Sequence, residues 1–135
     1  MPNLRLPLFL TRLSIVYFLL PWQVMRFTNP DQIDTIAKTY YHADGGVPGL
    51  ASQIFGAAVI VLLLLFLVGF AKRWTYLAVL VIHAGAILIS VQAYIWGLDS
   101  FRLIFLAAIP AAFAMGLLYA LRDHDTLFSV DDRKT

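Results

Sequence analysis

LASQIFGAAVIVLLLLFLVGF, residues 50–70, is followed by AKR, residues 71–73, and then by WTYLAVLVIHAGAILISVQAYIW, residues 74–96. Between Gly45 and Leu98 there is no acidic residue, and Lys72 and Arg73 are the only full charges. The two apolar runs hold about 21–23 residues each, and at ~1.5 Å rise per residue that just exceeds a hydrocarbon core of ~30 Å. The stretch is therefore expected to be a transmembrane hairpin with Lys72 and Arg73 at its turn.

Composition agrees. The chain has 135 residues, room for one domain, and is 61% hydrophobic and 13% charged, against roughly 25% charged in soluble domains. So small a fold lacks the volume to hide that much apolar surface from water, so lipid is its expected solvent. The net charge is +2, with ten basic residues spread along the chain. They form no dense patch of the kind phosphate backbones need, so nucleic acid is not an expected partner. Cysteine is absent, which excludes disulfides, thiolate metal sites and iron–sulfur clusters from this chain's own side chains. No glycine follows Met1 for myristoylation. Leu13–Leu20 resembles a signal-peptide core but runs into Pro21-Trp22-Gln23 rather than small residues, so no cleavage is expected.

Outward from the hairpin, residues 6–27 form the first expected span. Arg12 lies well inside it, and Pro21 should kink it by removing one backbone bond. Asn29-Pro30-Asp31 is a helix start, with a capping side chain, a proline at the first position and an acid at the positive end. Ile33, Ile36, Ala37, Tyr40 and Tyr41 then form one apolar stripe. A short helix over residues 30–42 is expected to lie in the membrane interface, facing outward. Gly97-Leu98-Asp99-Ser100 turns the chain into a fourth span, 101–121, with Pro110 near its middle. Ala108, Ala112, Gly116 and Ala120 recur every four residues, a small-residue ridge where a second helix could approach. Residues 122–135 read as a polar tail at or beyond the surface. The fold class is all-α: an integral-membrane bundle of four transmembrane helices plus an interfacial helix.

Seven basic residues (Arg5, Arg12, Lys72, Arg73, Arg122, Arg133, Lys134) fall on the side of both termini, against three (Arg26, Lys38, Arg102) on the other. The positive-inside rule then puts both termini in the cytoplasm.

Few polar side chains lie within the spans. His83, Ile87, Ser90 and Tyr94 share one face of the third span. His83 has two readings: a contact to a quinone carbonyl or a haem iron, or a neutral imidazole bonded to Ser90, Gln53 or a backbone carbonyl. A second intramembrane His or Cys that would support a metal is missing. Gln53 can tie two helices or join His83, Ser90 and Tyr94 around a quinone or lipid. Arg12 can snorkel to headgroups, bind an anionic lipid or pair inside the bundle. Arg26 has the same choices at the outer surface, with Asp31 or Asp34 as partners. Trp22, Trp74, Trp96, Tyr40, Tyr41 and Tyr119 fall near span ends, as an aromatic belt does. No span holds a carboxylate pair, no glycine-rich phosphate loop follows a strand, and nothing unites Ser, His and Asp. Autonomous catalysis is not expected.

Leu10-Thr11-Arg12-Leu13, Arg26, Val68-Gly69-Phe70-Ala71-Lys72-Arg73-Trp74 and Asp125-Thr126-Leu127-Phe128-Ser129-Val130-Asp131 together resemble motifs of the DoxX-like family of small four-helix bacterial membrane proteins. Gln53-Ile54-Phe55-Gly56 departs from it, with glutamine where many relatives carry glutamate. The resemblance implies a noncatalytic subunit of a larger inner-membrane assembly, redox-linked in some relatives, contacting lipids and other subunits or further copies of itself. Ala108, Ala112, Gly116 and Ala120 would then make helix contacts. The alternatives are a quinone- or lipid-binding module and, less supported, a small transporter or channel.

Overall fold

A computed structural model describes residues 3–40, 45, 49–89 and 107–134. Five α-helices are described, α1 (Arg5–Thr28), α2 (Pro30–Tyr40), α3 (Gly49–Leu67), α4 (Lys72–Ile89) and α5 (Ala108–Ala120), followed by short 3-10 turns at Arg122–His124 and Asp131–Lys134. No strand occurs among the described residues. α1, α3 and α4 are long and apolar enough to cross a membrane, and α5 is a shorter apolar helix. Residues 101–106 of the expected fourth span, and residues 90–96 of the third, lie outside the described residues.

α1 packs on α3, α3 on α4, α4 on α5 and α5 back on α1, so the four close into a ring. The inward positions of α3 are Ser52, Gly56, Val59, Leu63 and Phe66, an alternation of four and three that keeps one seam facing its neighbours. α4 turns Lys72, Thr75, Tyr76, Val79 and His83 inward. Together with Leu8, Ile15, Val16, Met115 and Leu118, the apolar members form the core. Tyr17, Leu50, Trp74, Leu88 and Phe113 point outward instead, an apolar exterior of the kind a lipid solvent tolerates and water does not.

α1 continues through Pro21. At its end the Asn29 side chain accepts a 3.4 Å bond from the Gln32 backbone N–H and donates to Gln32 Oε1 at 3.0 Å, a reciprocal cap that starts α2. The stripe on α2 is used within the chain: Ile33, Ile36 and Ala37 are buried, and α2 packs on α1. Pro110 sits in the first turn of α5 rather than near a helix middle, where a missing N–H leaves no internal bond unmade. The face α5 buries carries Ala108, Met115 and Leu118. Steps of four rotate about 40° around a helix each time, so the small-residue ridge drifts from buried Ala108 to exposed Ala120.

The ends of the ring differ. Where α3 stops, Phe70 N–H bonds Leu65 O at 3.0 Å and Gly69 N–H bonds Phe66 O at 3.1 Å, with Gly69 at φ +67. This paired closure requires a left-handed residue after the helix, which glycine supplies without strain. At the other end of α3, a Cβ on Gly56 would lie 2.9 Å from Arg26 Cδ and 3.4 Å from Phe27. Glycine there lets α1 and α3 come close.

Candidate functional site

Two polar constellations occupy opposite ends of the bundle. The first surrounds Arg12, two turns inside α1. It is 0% exposed and so is Asp125, and the two lie 3.7 Å apart through Arg12 Nη1 and Asp125 Oδ2. Arg12 also donates to Tyr76 Oη at 3.2 Å and to the Leu127 carbonyl, while the Tyr76 hydroxyl donates to Asp125 Oδ2. Of the three readings the sequence leaves open for Arg12 (snorkelling to headgroups, binding an anionic lipid, pairing inside the bundle), the structure has the third, with Arg12 enclosed within its own chain. Burying a guanidinium is costly unless it is paired and hydrogen-bonded, and the tail supplies both.

The tail is therefore not a free polar end. Val130 N–H bonds Val68 O at 2.8 Å and Asp131 N–H bonds Gly69 O at 3.2 Å. The Asp131 carboxylate accepts from the Ala71 and Lys72 backbone N–H groups at 2.8 and 2.9 Å, capping the positive end of α4. Lys72 Nζ donates to the Arg122 and Asp125 carbonyls and to Asp132 Oδ2, at 2.9, 3.0 and 2.7 Å. Residues 122–134 fold over the α3–α4 turn and lock it.

Burial opposes ionisation of Asp132. Hydrogen bonds from Lys72 and Ser129, with the charges of Lys72 and Arg12, outweigh it and hold its carboxyl below the ordinary 3.8. A folded value below the unfolded one contributes stability above pH 3.8 that is lost as pH falls through the folded value. Asp132→Asn should therefore be less stable than the parent near pH 7, with the gap closing below pH 3.8. Unfolding in detergent from pH 7 to 3, both proteins compared, measures this.

The second constellation is a cavity of about 520 Å³ between α1, α2, α3, α4 and the start of α5. Its walls are mainly apolar, including Phe18, Trp22, Ile36, Phe55, Val59 and Ile82, with Gln23, Arg26 and His83 among the polar lining groups. Arg26 is held by bonds to Gln23 Oε1 at 3.1 Å and Ser52 Oγ at 2.9 Å, and its guanidinium lies over Phe55 with 5.0 Å to the ring centre. Gln23 and Ser52 thus hold Arg26. Asp34, one of two acids the sequence offers it as a partner, bonds Lys38 at 2.8 Å, one helical turn on.

His83 is 7% exposed. Its Nε2 is 2.8 Å from the Ala108 carbonyl, and Phe18 meets it edge-on at 5.8 Å between ring centres. Of the other residues expected beside it, Ser90 and Tyr94 lie outside the described residues. Gln53 is half-buried and does not line the cavity; Gln23 of α1 provides the amide there. Among the described residues no three His, Asp or Glu side chains gather as metal ligands. Compared with known proteins, the chain matches no family model, no curated protein and no solved structure.

Proposed function

We propose that this protein is an integral-membrane module that holds one lipid-soluble small molecule between its helices. The observation carrying this reading is the cavity of about 520 Å³, whose described lining is mainly apolar and includes the polar side chains of Gln23, Arg26 and His83. That volume falls in the ~300–1,000 Å³ range of small-molecule sites, which combine apolar walls with a few fixed polar groups. The lining favours a molecule with a long apolar body and a small polar head, in the class of prenyl, acyl and quinone-type lipids. Gln23 and Ser52 hold the Arg26 side chain in place, so the arginine is oriented before any ligand arrives.

Gly85 gives a direct test. It lines the cavity, and a Cβ added to it would meet nothing within 4 Å. Gly85→Leu should fold, fill the space and exclude the ligand. Organic extraction of the protein purified in mild detergent, followed by mass spectrometry, should find a lipid in the parent at near-stoichiometric amount and little in Gly85→Leu. Equal amounts in both would count against the cavity as the site.

A DoxX-like subunit of a bacterial inner-membrane assembly, with both termini cytoplasmic, is the second reading. Its support is the set of motifs around Arg12, Gly69 and Asp125, together with the open space beside Gly116, where an added Cβ would meet nothing within 4 Å. The same purification separates the two: stoichiometric partner chains support the subunit, whereas a lone protein with bound lipid supports the module.

A further inference from the structure

His83 narrows the chemistry of the ligand more than the cavity's size does. A backbone carbonyl can only accept, so the 2.8 Å bond to Ala108 O requires the hydrogen on Nε2. In a neutral imidazole the other nitrogen is then an acceptor. Among the described residues Nδ1 has no hydrogen-bond partner, yet it is not among the fully enclosed polar atoms that lack one. His83 as a residue is 7% exposed and forms part of the cavity wall. The wall thus offers an acceptor at a nearly buried position.

We infer that the bound molecule is a lipid alcohol or phenol whose hydroxyl donates to His83 Nδ1. This rests on the cavity being a ligand site. A ketone, quinone carbonyl or ether presents only lone pairs, and these would face the lone pair of Nδ1. The geometry therefore works against the quinone-carbonyl contact, one of the readings the sequence leaves open for this histidine, and it favours the hydroxylated form of such a head group. The discrimination lies in whether the head group can donate. An apolar site that also satisfies a hydroxyl rejects the analogue lacking the donor, because its own acceptor is left unpaired.

The test compares 4-dodecylphenol with its methyl ether, each titrated into the full chain in lipid vesicles, with tryptophan fluorescence as readout because Trp22 lines the cavity. The parent should bind the phenol about tenfold more tightly than the ether, the ratio expected for one net hydrogen bond. In His83→Ala the ratio should fall to near one, with the phenol weakened to the level of the ether. In Gly85→Leu both should lose binding. The parent's ratio needs no variant, so a poorly folded His83→Ala would not shield the inference. Equal binding of both probes by the parent overturns the donor preference and leaves the cavity reading standing. A ratio that survives in His83→Ala assigns the preference to another group and overturns the role of Nδ1. Binding of neither probe overturns both.

Discussion

Arg12→Met should destabilise the bundle by about 3–5 kcal/mol, the range for removing one partner of a buried ion pair. Asp125 would remain 0% exposed with its cation gone, and the Tyr76 hydroxyl and Leu127 carbonyl would each lose a donor. The methionine keeps the apolar stem and ends short of the outer guanidinium nitrogens, so most of the loss is electrostatic, with a smaller part from the space they leave. Arg12→Met combined with Asp125→Asn should recover part of it, because the amide still accepts from Tyr76 and no charge is stranded. The double variant should therefore be more stable than Arg12→Met alone. Denaturant unfolding of the four proteins in one detergent gives the coupling, and a simple sum of the single effects would show that the pair does not act as a unit. A second readout is the tail: trypsin should cut after Arg122 faster in Arg12→Met, since Arg12 holds residues 122–134 down through Asp125 and Leu127.

That pair shows what could be read in the chain and what could not. The helices α1, α3 and α4 were visible as long apolar runs, and the cap at Asn29 and the stripe on α2 as local patterns. Which side of α3 faces inward was not visible, because a helix apolar all round carries no periodic contrast. Its buried positions are marked instead by Ser52 and Gly56, whose small side chains admit Arg26 and α1. The bond between Arg12 and Asp125 joins residues 113 positions apart in sequence. No local pattern encodes such a contact. An indirect sign did exist: an arginine two turns inside a span needs a counter-charge, and the carboxylates available on the side of the termini were those of the tail, Asp123, Asp125, Asp131 and Asp132. Reading the tail as polar chain at or beyond the surface hid that. At the cavity the same limit applies in reverse. His83 stood out as the one histidine within a span, but Gln23 and Arg26 line the same cavity only because α1 packs on α3 and α5, and Gln53, expected near the face of His83, Ser90 and Tyr94, does not line it.

Gly69→Val should lower stability on the order of 2–6 kcal/mol. Two effects act at one atom. The residue sits at φ +67, where a β-branched side chain costs roughly 1–3 kcal/mol in backbone strain. Its Cβ would also fall 2.6 Å from Arg12 Nη1, 2.7 Å from Ser129 Oγ and 2.9 Å from Ser129 Cα. Two of these are side-chain ends, but the third is backbone, and overpacking that cannot relax adds roughly 1–3 kcal/mol. The strands of chain that would have to move are tied in turn: Ser129 bonds Gly69 O at 3.2 Å, and its neighbours bond Val68 O and Gly69 O. Relief would therefore lift the tail away and open the Arg12–Asp125 pair, so the two largest losses share a pathway. This predicts non-additivity. Gly69→Val in an Arg12→Met background should cost clearly less than in the parent, because the tail is already loosened and the nearest clash, with Nη1, is gone. Gly85→Leu sets the baseline for adding a side chain to an apolar helix, since nothing lies within 4 Å of its Cβ. If Gly69→Val unfolds at the same denaturant as Gly85→Leu, the tail does not pack on the turn as described.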